Sequence, residues 1–325
     1  MSEVKPQSVS AYNIGGERPV VCIMGPTAAG KTAAAMRAYE QLPVALISVD
    51  SAQVYRHMDI GTGKLSAAEQ LRYPHALIDI MDPEQIYSAA IFVEDVTAVL
   101  QAAWSAQQVP VLVGGTGLYF HALLKGLSPL PQADAALRAR IAAQALEQGW
   151  AAMHAELAEL DPPTAARLHP NDAQRIQRAI EICMLSGEPM SALLKRAPGA
   201  GLQAQVLSLV VAPASRASLH ARIERRFAQM LELGLLEEVS ALRYRAGMHA
   251  ALPSMRSVGY RQAWAVLDGR LPASELHERG VIATRQLARR QLTWLRAQPA
   301  TAWFDSDDAT HVQQIVERIR SWLGH

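Results

Sequence analysis

The sequence lacks any apolar run that approaches about 18 residues, so it predicts no membrane-spanning helix. Cysteine is scarce: Cys22 and Cys183 stand far apart and form no Cys-x-x-Cys pair, which argues against a disulfide framework and a zinc knuckle. The segment 1–19 is polar and has no apolar core of the kind found in signal peptides. Half of the 325 residues are hydrophobic and 19% are charged, enough to bury a core. We therefore expect a cytosolic globular protein of about two domains, or of one domain with an insertion.

Excess charge of one sign is also absent overall, because the net charge is only +1. This value excludes a uniformly basic nucleic-acid coat protein and an acidic tail protein. Residues 216–296 differ from the rest, with 14 arginines, no lysine, seven acidic residues and a net charge of +7. Such a block suggests a polyanionic partner, and arginine favours bidentate recognition of phosphates or base edges. Arginines that decorate solvated helix faces are the alternative interpretation.

Short apolar runs alternate with helical patterns in much of the chain, which predicts a parallel sheet covered by helices on both faces. We predict strands at Val20–Met24, Ala45–Val49, Ala76–Ile80, Pro110–Val113 and Val206–Val211. Residues 134–197 show helical periodicity only, and from Ser215 onward we again predict only helices. The predicted organisation is an α/β core formed by residues 1–133 and 198–325, with an all-helical insertion domain at 134–197.

The first strand runs into Gly25-x4-Gly30-Lys31-Thr32, a complete P-loop between a strand and a helix. Its backbone N–H groups and helix N-terminus are suited to cradle an oligophosphate. Lys31 is expected to neutralise terminal phosphate oxygens, and the Thr32 hydroxyl is expected to ligate Mg²⁺. The motif does not choose between a nucleotide and a diphosphate. The predicted phosphate-binding residues are Gly25, Pro26, Thr27, Ala28, Ala29, Gly30, Lys31 and Thr32.

Polar residues follow two other predicted strands, at the edge where open α/β sheets bind ligands. Asp50 ends one strand and can hold magnesium through water, act as a general base, or merely cap the next helix. Gly114-Gly115-Thr116-Gly117 ends another strand, where the glycines allow close backbone approach and Thr116 offers a hydroxyl. A purely structural turn explains that segment equally well. The loop 59–64 resembles a second phosphate-proximal loop, but taken alone its sequence is weak evidence for one.

Three segments combine arginine with amide or aromatic side chains, groups that pair with phosphates, read base edges and stack on splayed bases. They comprise Gln174, Arg175, Ile176, Gln177 and Arg178 in a predicted helix; Met255, Arg256, Ser257, Val258, Gly259 and Tyr260 in a predicted loop; and Arg289, Arg290, Gln291 and Trp294. A helix packed through leucine and tryptophan, with its arginines outside, is an alternative for the third segment.

Taken together, these strings resemble the tRNA dimethylallyltransferases of the bacterial type over about residues 20–300, in the family's order. The motifs that carry the resemblance are GPTAAGKT (25–32), DSAQVYRHMDIGTGK (50–64), HALIDIMDP (75–83), GGTGLYF (114–120), LRARI (137–141), HPNDAQRIQRAIE (169–181), MRSVGYRQAW (255–264) and RQLTWLR (290–296). By this resemblance, the P-loop holds the diphosphate of dimethylallyl diphosphate rather than ATP. The acceptor is the N6 amine of the adenosine immediately 3′ of a tRNA anticodon, and the helical insertion embraces the anticodon stem-loop.

The resemblance also implies residue roles. Asp50 matches the family's general base, Thr116 lies beside the N6 amine, and Lys31, Thr32 and Mg²⁺ stabilise the departing diphosphate. Arg138 of the insertion, counted with the catalytic residues, and either Arg222 or Arg226 are expected to close over phosphate. The expected tRNA contacts are Asp50, Ser51, Ala52, Gln53, Thr116, Arg138, Gln174, Arg175, Ile176, Gln177, Arg178, Met255, Arg256, Ser257, Val258, Gly259, Tyr260, Arg289, Arg290, Gln291 and Trp294. We expect a monomer that binds tRNA and dimethylallyl diphosphate, with no membrane partner.

Three other functions fit parts of the sequence. A P-loop kinase would need ATP and an arginine-rich lid, but the insertion at 134–197 has a net charge of −1. A prenyltransferase that acts on free adenine nucleotides needs no large RNA surface, so the +7 segment disfavours it. A non-enzymatic P-loop RNA-binding switch would give Asp50 and Thr116 no functional role.

Overall fold

The computed structural model describes residues 18–196, 199–298 and 302–324. The polar segment preceding residue 18 and the predicted domain boundary at residue 197 lie outside the described residues. The chain divides into two compact units. One unit combines Met1–His121 with Gln203–His325, and the other is Ala122–Leu202.

A single parallel sheet of six strands forms the centre of the first unit, in the order β3-β2-β4-β1-β5-β6. The strands are β1 (Pro19–Met24), β2 (Val44–Val49), β3 (His75–Ala76), β4 (Val109–Gly114), β5 (Gln205–Ala212) and β6 (Ala302–Asp305). Every residue of β1 and of β4 is buried, as expected for inner strands of a sheet covered on both faces. The predicted α/β class with a parallel sheet is confirmed.

The helices of the first unit cover this sheet, and those of the second unit pack against one another around a core of their own. In chain order the helices are α1 (Lys31–Gln41), α2 (Ala67–Arg72), α3 (Ala89–Ser105), α4 (Gly117–Lys125), α5 (Ala135–Gln148), α6 (Trp150–Leu160), α7 (Pro162–Ala165), α8 (Ala173–Ser186), α9 (Met190–Leu193), α10 (Arg216–Glu232), α11 (Leu235–Arg243), α12 (Tyr260–Leu267), α13 (Leu276–Arg296) and α14 (His311–Trp322). Among the described residues, none of these helices is both long and apolar enough to cross a bilayer.

Small side chains place α1 close against the sheet. Ala34, Ala35 and Ala38 of α1 are fully buried in one core cluster with β-strand residues such as Val21 and Val111. Alanine has a small side chain and favours helix formation, so these positions let the helix axis approach the strands without breaking the helix. The start of α1, and with it the P-loop, is therefore held rigidly at the carboxyl edge of β1.

Two strands differ from the sequence prediction. Helices alone were predicted after Ser215, and this is wrong for β6, an edge strand that pairs with β5. Its four residues are too few to show a two-residue period. The strand predicted at Ala76–Ile80 ends at Ala76, because Leu77 and Asp79 have φ angles of 67° and 55°, which lie in the left-handed region.

The second unit contains only helices within its described residues. Its core is formed by side chains at helical spacing from α5, α6 and α8, including Ile141, Met153, Leu157, Ile176 and Ile180. The unit extends beyond both ends of the insertion predicted at 134–197.

Hydrogen bonds close the base of the second unit, where the chain enters and leaves it. Leu202 N–H donates to Leu123 O, and Gly199 N–H donates to Leu127 O, each at 2.9 Å. Gly126 has a φ of 82°, and a Cβ there would lie 1.9 Å from Gly199 O. Glycine at position 126 is therefore required for this close approach.

Candidate active site

The P-loop lies between the end of β1 and the first turn of α1. Lys31 is the first residue of α1, and its Nζ donates a 2.7 Å hydrogen bond to Pro26 O across the loop. A Cβ at Gly25 would lie 2.2 Å from Val211 O of β5, so only glycine fits there. Gly30 precedes α1 with a φ of 90°, a conformation that favours glycine. The P-loop geometry predicted from the sequence therefore has a specific steric basis.

Three charged side chains meet in a small cavity at the P-loop: Lys31, Asp50 and Arg226. Burial lowers the pKa of Lys31 to about 8, while the Asp50 carboxylate raises that pKa and the Arg226 guanidinium lowers it. Burial also lowers the pKa of Arg226, again against the influence of Asp50. Two cations that share one carboxylate leave the cavity electropositive, which suits an anion such as a diphosphate.

Asp50 directly follows the last residue of β2. Its Oδ1 accepts hydrogen bonds from the backbone N–H groups of Ala52 at 2.8 Å and Gln53 at 3.2 Å. Its Oδ2 has no hydrogen-bond donor within the described part of the chain. One carboxylate oxygen therefore fixes the loop, and the other remains available to a ligand.

The loop after β4 is joined to the loop after β2. Thr116 Oγ1 accepts a hydrogen bond from Ser51 N–H at 3.1 Å, and Thr116 N–H donates to Val49 O at 3.3 Å. A Cβ at Gly114 would lie 2.0 Å from Val49 O, so glycine is needed for the two strand ends to come this close. The hydroxyl of Thr116 is thus held next to the Asp50 loop, with its own proton available to donate.

Gln291 of α13 has a position that the sequence did not indicate. Its Oε1 accepts a hydrogen bond from Thr27 N–H at 2.9 Å, and its Nε2 donates to Gly115 O at 3.0 Å. The side chain that the sequence analysis assigned to tRNA therefore links the P-loop to the loop after β4. Trp294, one helical turn further along α13, lies directly over Gly117. A Cβ at Gly117 would be 2.6 Å from the Trp294 ring.

The loop 59–64 contributes a wall of the cavity through Thr62 and Gly63. Its lysine is not available to phosphate, because the Lys64 side chain is only 1% exposed and forms ion pairs with Asp59 and Asp79. Arg226 lies against this loop and donates to Gly63 O at 3.4 Å. The loop therefore lines the cavity through Thr62 and Gly63, and Lys64 is not one of the lining residues.

Glu238 of α11 anchors the same loop, and no pattern in the sequence pointed to it. Its carboxylate accepts hydrogen bonds from the backbone N–H groups of Asp59, Ile60 and Gly61, at 2.9, 2.8 and 3.3 Å. The hydroxyl of Tyr260 also donates to Glu238, at 2.5 Å. A carboxylate that accepts from three successive amides fixes the backbone of the loop, and with it the cavity wall.

The second unit holds Arg138 and Arg178 around a buried carboxylate. Glu181 is fully buried and accepts from Arg138 Nε at 3.0 Å, from Arg178 Nη1 at 2.6 Å and from Asp134 N–H at 2.8 Å. Gln177 Nε2 donates to Arg138 O at 2.9 Å. Glu181 was not among the predicted site residues, although an acidic residue between Ile180 and Ile182 on a helix was a usable signal for a buried ion pair.

Several predicted site residues are not among those that line the P-loop cavity. Arg222 donates to Ser306 O and to Asp307 Oδ1, both at 2.7 Å, and does not line the cavity. Of the two candidate arginines on α10, Arg226 is the one that lines the cavity. Ser51, Gln174, Arg175, Arg256, Arg289 and Arg290 are exposed, and Ala52, Ser257 and Val258 are partly buried.

Three side chains expected to contact tRNA are fully buried instead: Ile176, Met255 and Tyr260. Ile176 belongs to the core of the helical unit, and the Tyr260 hydroxyl is occupied by Glu238. We correct their assignment to packing, because a buried side chain cannot stack on or pair with a nucleotide. Gly259 acts as the N-cap of α12, with a φ of 92°.

The donors around the P-loop suit a hard divalent cation. The Thr32 hydroxyl and the Asp50 carboxylate line the same cavity, and both are oxygen ligands. The described residues contain no group of three or more acidic, histidine or cysteine side chains that could hold a metal by themselves. Mg²⁺ commonly takes one or two protein oxygens and completes its coordination with substrate phosphates and water, so the residues present fit it.

Comparisons with known proteins agree on one family. A family model described as IPP transferase matches residues 53–298. The chain is 54% identical to a tRNA dimethylallyltransferase of Ralstonia nicotianae, over 93% of this chain and 96% of that protein. It is similar to the crystal structure of a tRNA isopentenylpyrophosphate transferase from Bacillus halodurans, with a TM-score of 0.68, 35% identity and coverage of 95% and 97%. A eukaryotic dimethylallyltransferase acting on tRNA, 23% identical, shares the fold with a TM-score of 0.75 over 93% of this chain and 77% of that one.

Proposed function

This chain belongs to the tRNA dimethylallyltransferase family, whose members are enzymes that transfer a prenyl group to tRNA, and from that premise we propose the details of its reaction. The donor is dimethylallyl diphosphate, the acceptor is N6 of the adenosine immediately 3′ of the anticodon, and diphosphate is released. The observation that carries this proposal is the placement of the Asp50 carboxylate in one cavity with the cationic groups of Lys31 and Arg226.

The P-loop binds the diphosphate of the donor in this proposal. The backbone N–H groups of residues 25–32 surround the phosphates, and Lys31 and Arg226 neutralise their charge. Thr32, with Asp50 through water, would hold Mg²⁺, which supplies charge stabilisation to the leaving diphosphate when bound. Gln291 supports the site by fixing Thr27 of the loop.

Asp50 acts as the general base. The exocyclic amine of adenine is a poor nucleophile, because its lone pair is delocalised into the ring. As the bond from N6 to C1 of the prenyl group forms, the bond from C1 to the diphosphate oxygen breaks, and the diphosphate leaves with the electron pair. The N6 proton passes to Oδ2 of Asp50, the oxygen that has no donor within the described residues. Thr116 orients the amine through its hydroxyl.

Exposed arginine and amide side chains supply the tRNA contacts. On the first unit these are Arg256, Arg289 and Arg290, and on the helical unit Gln174 and Arg175. Arg138 uses Nε and Nη2 on Glu181, which leaves Nη1 for a phosphate. The helical unit embraces the anticodon stem-loop in this proposal. The enzyme acts as a monomer in the cytoplasm.

Labelled dimethylallyl diphosphate tests the proposal. The protein is incubated with the label and Mg²⁺ together with tRNA, with AMP, or with no acceptor. We expect label in the tRNA alone, at the adenosine that follows the anticodon. Transfer to AMP at a comparable rate would favour a prenyltransferase of free nucleotides, and phosphoryl transfer from ATP to AMP would favour a kinase.

A further inference from the structure

A second, larger cavity lies on the first unit, at the carboxyl edge of the sheet but separate from the P-loop. It has a volume of about 800 Å³ and is formed by the start of α10, one face of α13 and the ends of β5 and β6. None of its lining residues lines the P-loop cavity. Its size falls within the range of small-molecule sites, about 300–1,000 Å³.

The rim of this cavity is strongly cationic. Arg216, His220, Arg285, Arg289 and Arg296 line it, against Asp305 as the acidic lining residue. The Asp305 carboxylate is already engaged, because its Oδ1 accepts from Ala214 N–H and Asp307 N–H at 2.9 Å each. The rim therefore has several positive charges and little opposing charge.

Several arginines of the rim are not fully neutralised by the protein. Within the described residues, Arg216 and Arg289 form no ion pair. Arg285 donates through Nη2 to Glu224 at 2.9 Å, but its buried Nε has no hydrogen-bond partner in the described residues. Burial lowers the pKa of His220, and Arg285 and Arg216 lower it further, as expected where cations lie close together. Such a cluster is stabilised by an anion.

The floor of the cavity is apolar and aromatic. Trp303 and Phe304 of β6 line it together with aliphatic side chains of α10 and α13. Trp303 is 45% exposed, which is unusual for so large an apolar side chain, and Ile282 of α13 is 40% exposed. A flat aromatic surface beside arginines suits a planar ring with an attached phosphate.

We propose that this cavity binds one nucleotide unit, with its base against Trp303 and its phosphate at Arg216 and Arg285. The nucleotide is either a free nucleoside phosphate or a residue of the substrate RNA other than the acceptor adenosine. Binding at this site is independent of the P-loop. The RNA source rests on the proposed function, and the free source does not.

Calorimetric titration with AMP tests the free source. The full-length protein is first saturated with inorganic diphosphate, which occupies the P-loop. We expect AMP to bind under these conditions, and Trp303→Ala and Arg216→Ala to lower its affinity about tenfold or more. Arg225→Ala is the matched control, because Arg225 lies on the same helix, is exposed and does not line the cavity. The control is expected to stay within about twofold of the wild type.

Titration with an anticodon stem-loop RNA tests the other source. If AMP does not bind, the RNA affinity is expected to fall about tenfold in Trp303→Ala and Arg216→Ala, and to be unchanged in Arg225→Ala. Prenyl transfer to tRNA by the wild type is measured in parallel, so that failure of the proposed function is distinguished from failure of this cavity. The inference is overturned if the affinity for neither probe falls in the two variants, if diphosphate added beyond saturation of the P-loop displaces AMP, or if farnesyl diphosphate binds the cavity in preference to both probes.

Discussion

The side-chain oxygen of Gln291 accepts a hydrogen bond from the backbone N–H of Thr27 at 2.9 Å, although the two residues are 264 positions apart. The bond places α13 directly on the P-loop. Because Nε2 of the same side chain donates to Gly115 O, one amide fixes two loops of the candidate site. The conformation that receives the diphosphate therefore depends on a helix from the C-terminal part of the chain.

Replacement of Gln291 by alanine tests this link. Each lost hydrogen bond contributes about 0.5–1.5 kcal/mol, so we expect the KM for the prenyl diphosphate to rise about tenfold and the KM for tRNA to change little. Steady-state kinetics with each substrate varied in turn measures the two values. Thr293→Ala, an exposed change on the same helix, is the control. A rise in the KM for tRNA alone would support a direct RNA contact for Gln291.

The substitution Asp50→Asn distinguishes a general-base role of Asp50 from a purely structural role as a cap. Asparagine can still accept from the N–H groups of Ala52 and Gln53, so the loop is expected to keep its structure. It cannot take up the N6 proton, and turnover is expected to fall about 10²- to 10⁴-fold. Single-turnover prenylation at saturating substrates measures this loss. Retention of more than about a fifth of the wild-type rate by a normally folded variant would mean that the proton goes elsewhere.

The lowered pKa of Lys31 predicts a pH dependence of donor binding. With a pKa of about 8, Lys31 is protonated at pH 7 and loses its charge as the pH rises above 8. We therefore expect the KM for the prenyl diphosphate to be constant below about pH 7.5 and to rise above pH 8, because the neutral amine no longer attracts phosphate. Arginine remains charged in this range, so Lys31→Arg is expected to flatten the rise. The same rise in Lys31→Arg would assign the titration to another group.

Glu181 is expected to stabilise the helical unit through charge. Burial by itself would raise its pKa, but hydrogen bonds from Arg178, Arg138 and Asp134 N–H outweigh this and hold the pKa below its ordinary value. Glu181→Gln leaves both arginines unpaired, and since they are about a third exposed we expect a loss of about 2 kcal/mol.

Hydrogen exchange of residues 134–196, followed by mass spectrometry, measures this loss within the unit. A carboxylate with a lowered pKa stabilises the fold above its unfolded-state pKa of about 4.5, and the effect disappears as the pH falls through the folded-state value. The difference between wild type and Glu181→Gln should therefore shrink at acidic pH. Glu147→Gln, at an exposed position of α5, is the control and is expected to show no difference.

Much of the fold and the centre of the candidate site were predictable from the sequence, because their determinants are local. The P-loop requires glycines at fixed spacing between a strand and a helix, and the buried strands β1 and β4 appear as continuous apolar runs. The position of Asp50 at the end of β2 follows from the same pattern. Parallel strands all end at one edge of a sheet, so the ends of β1, β2 and β4 had to meet there.

The tertiary structure alone decided which side chains reach the site. Tyr260 and Met255 look like contact residues in the sequence, but packing places both in the core. Gln291 was singled out as an RNA contact, but nothing local indicated its bonds to the P-loop, and Glu238 gave no local signal, because the partners of both lie far away along the chain. Hydrogen-bonding groups are satisfied by whichever donors and acceptors the fold brings within about 3 Å, and that proximity is a property of the packed chain and not of any segment of it.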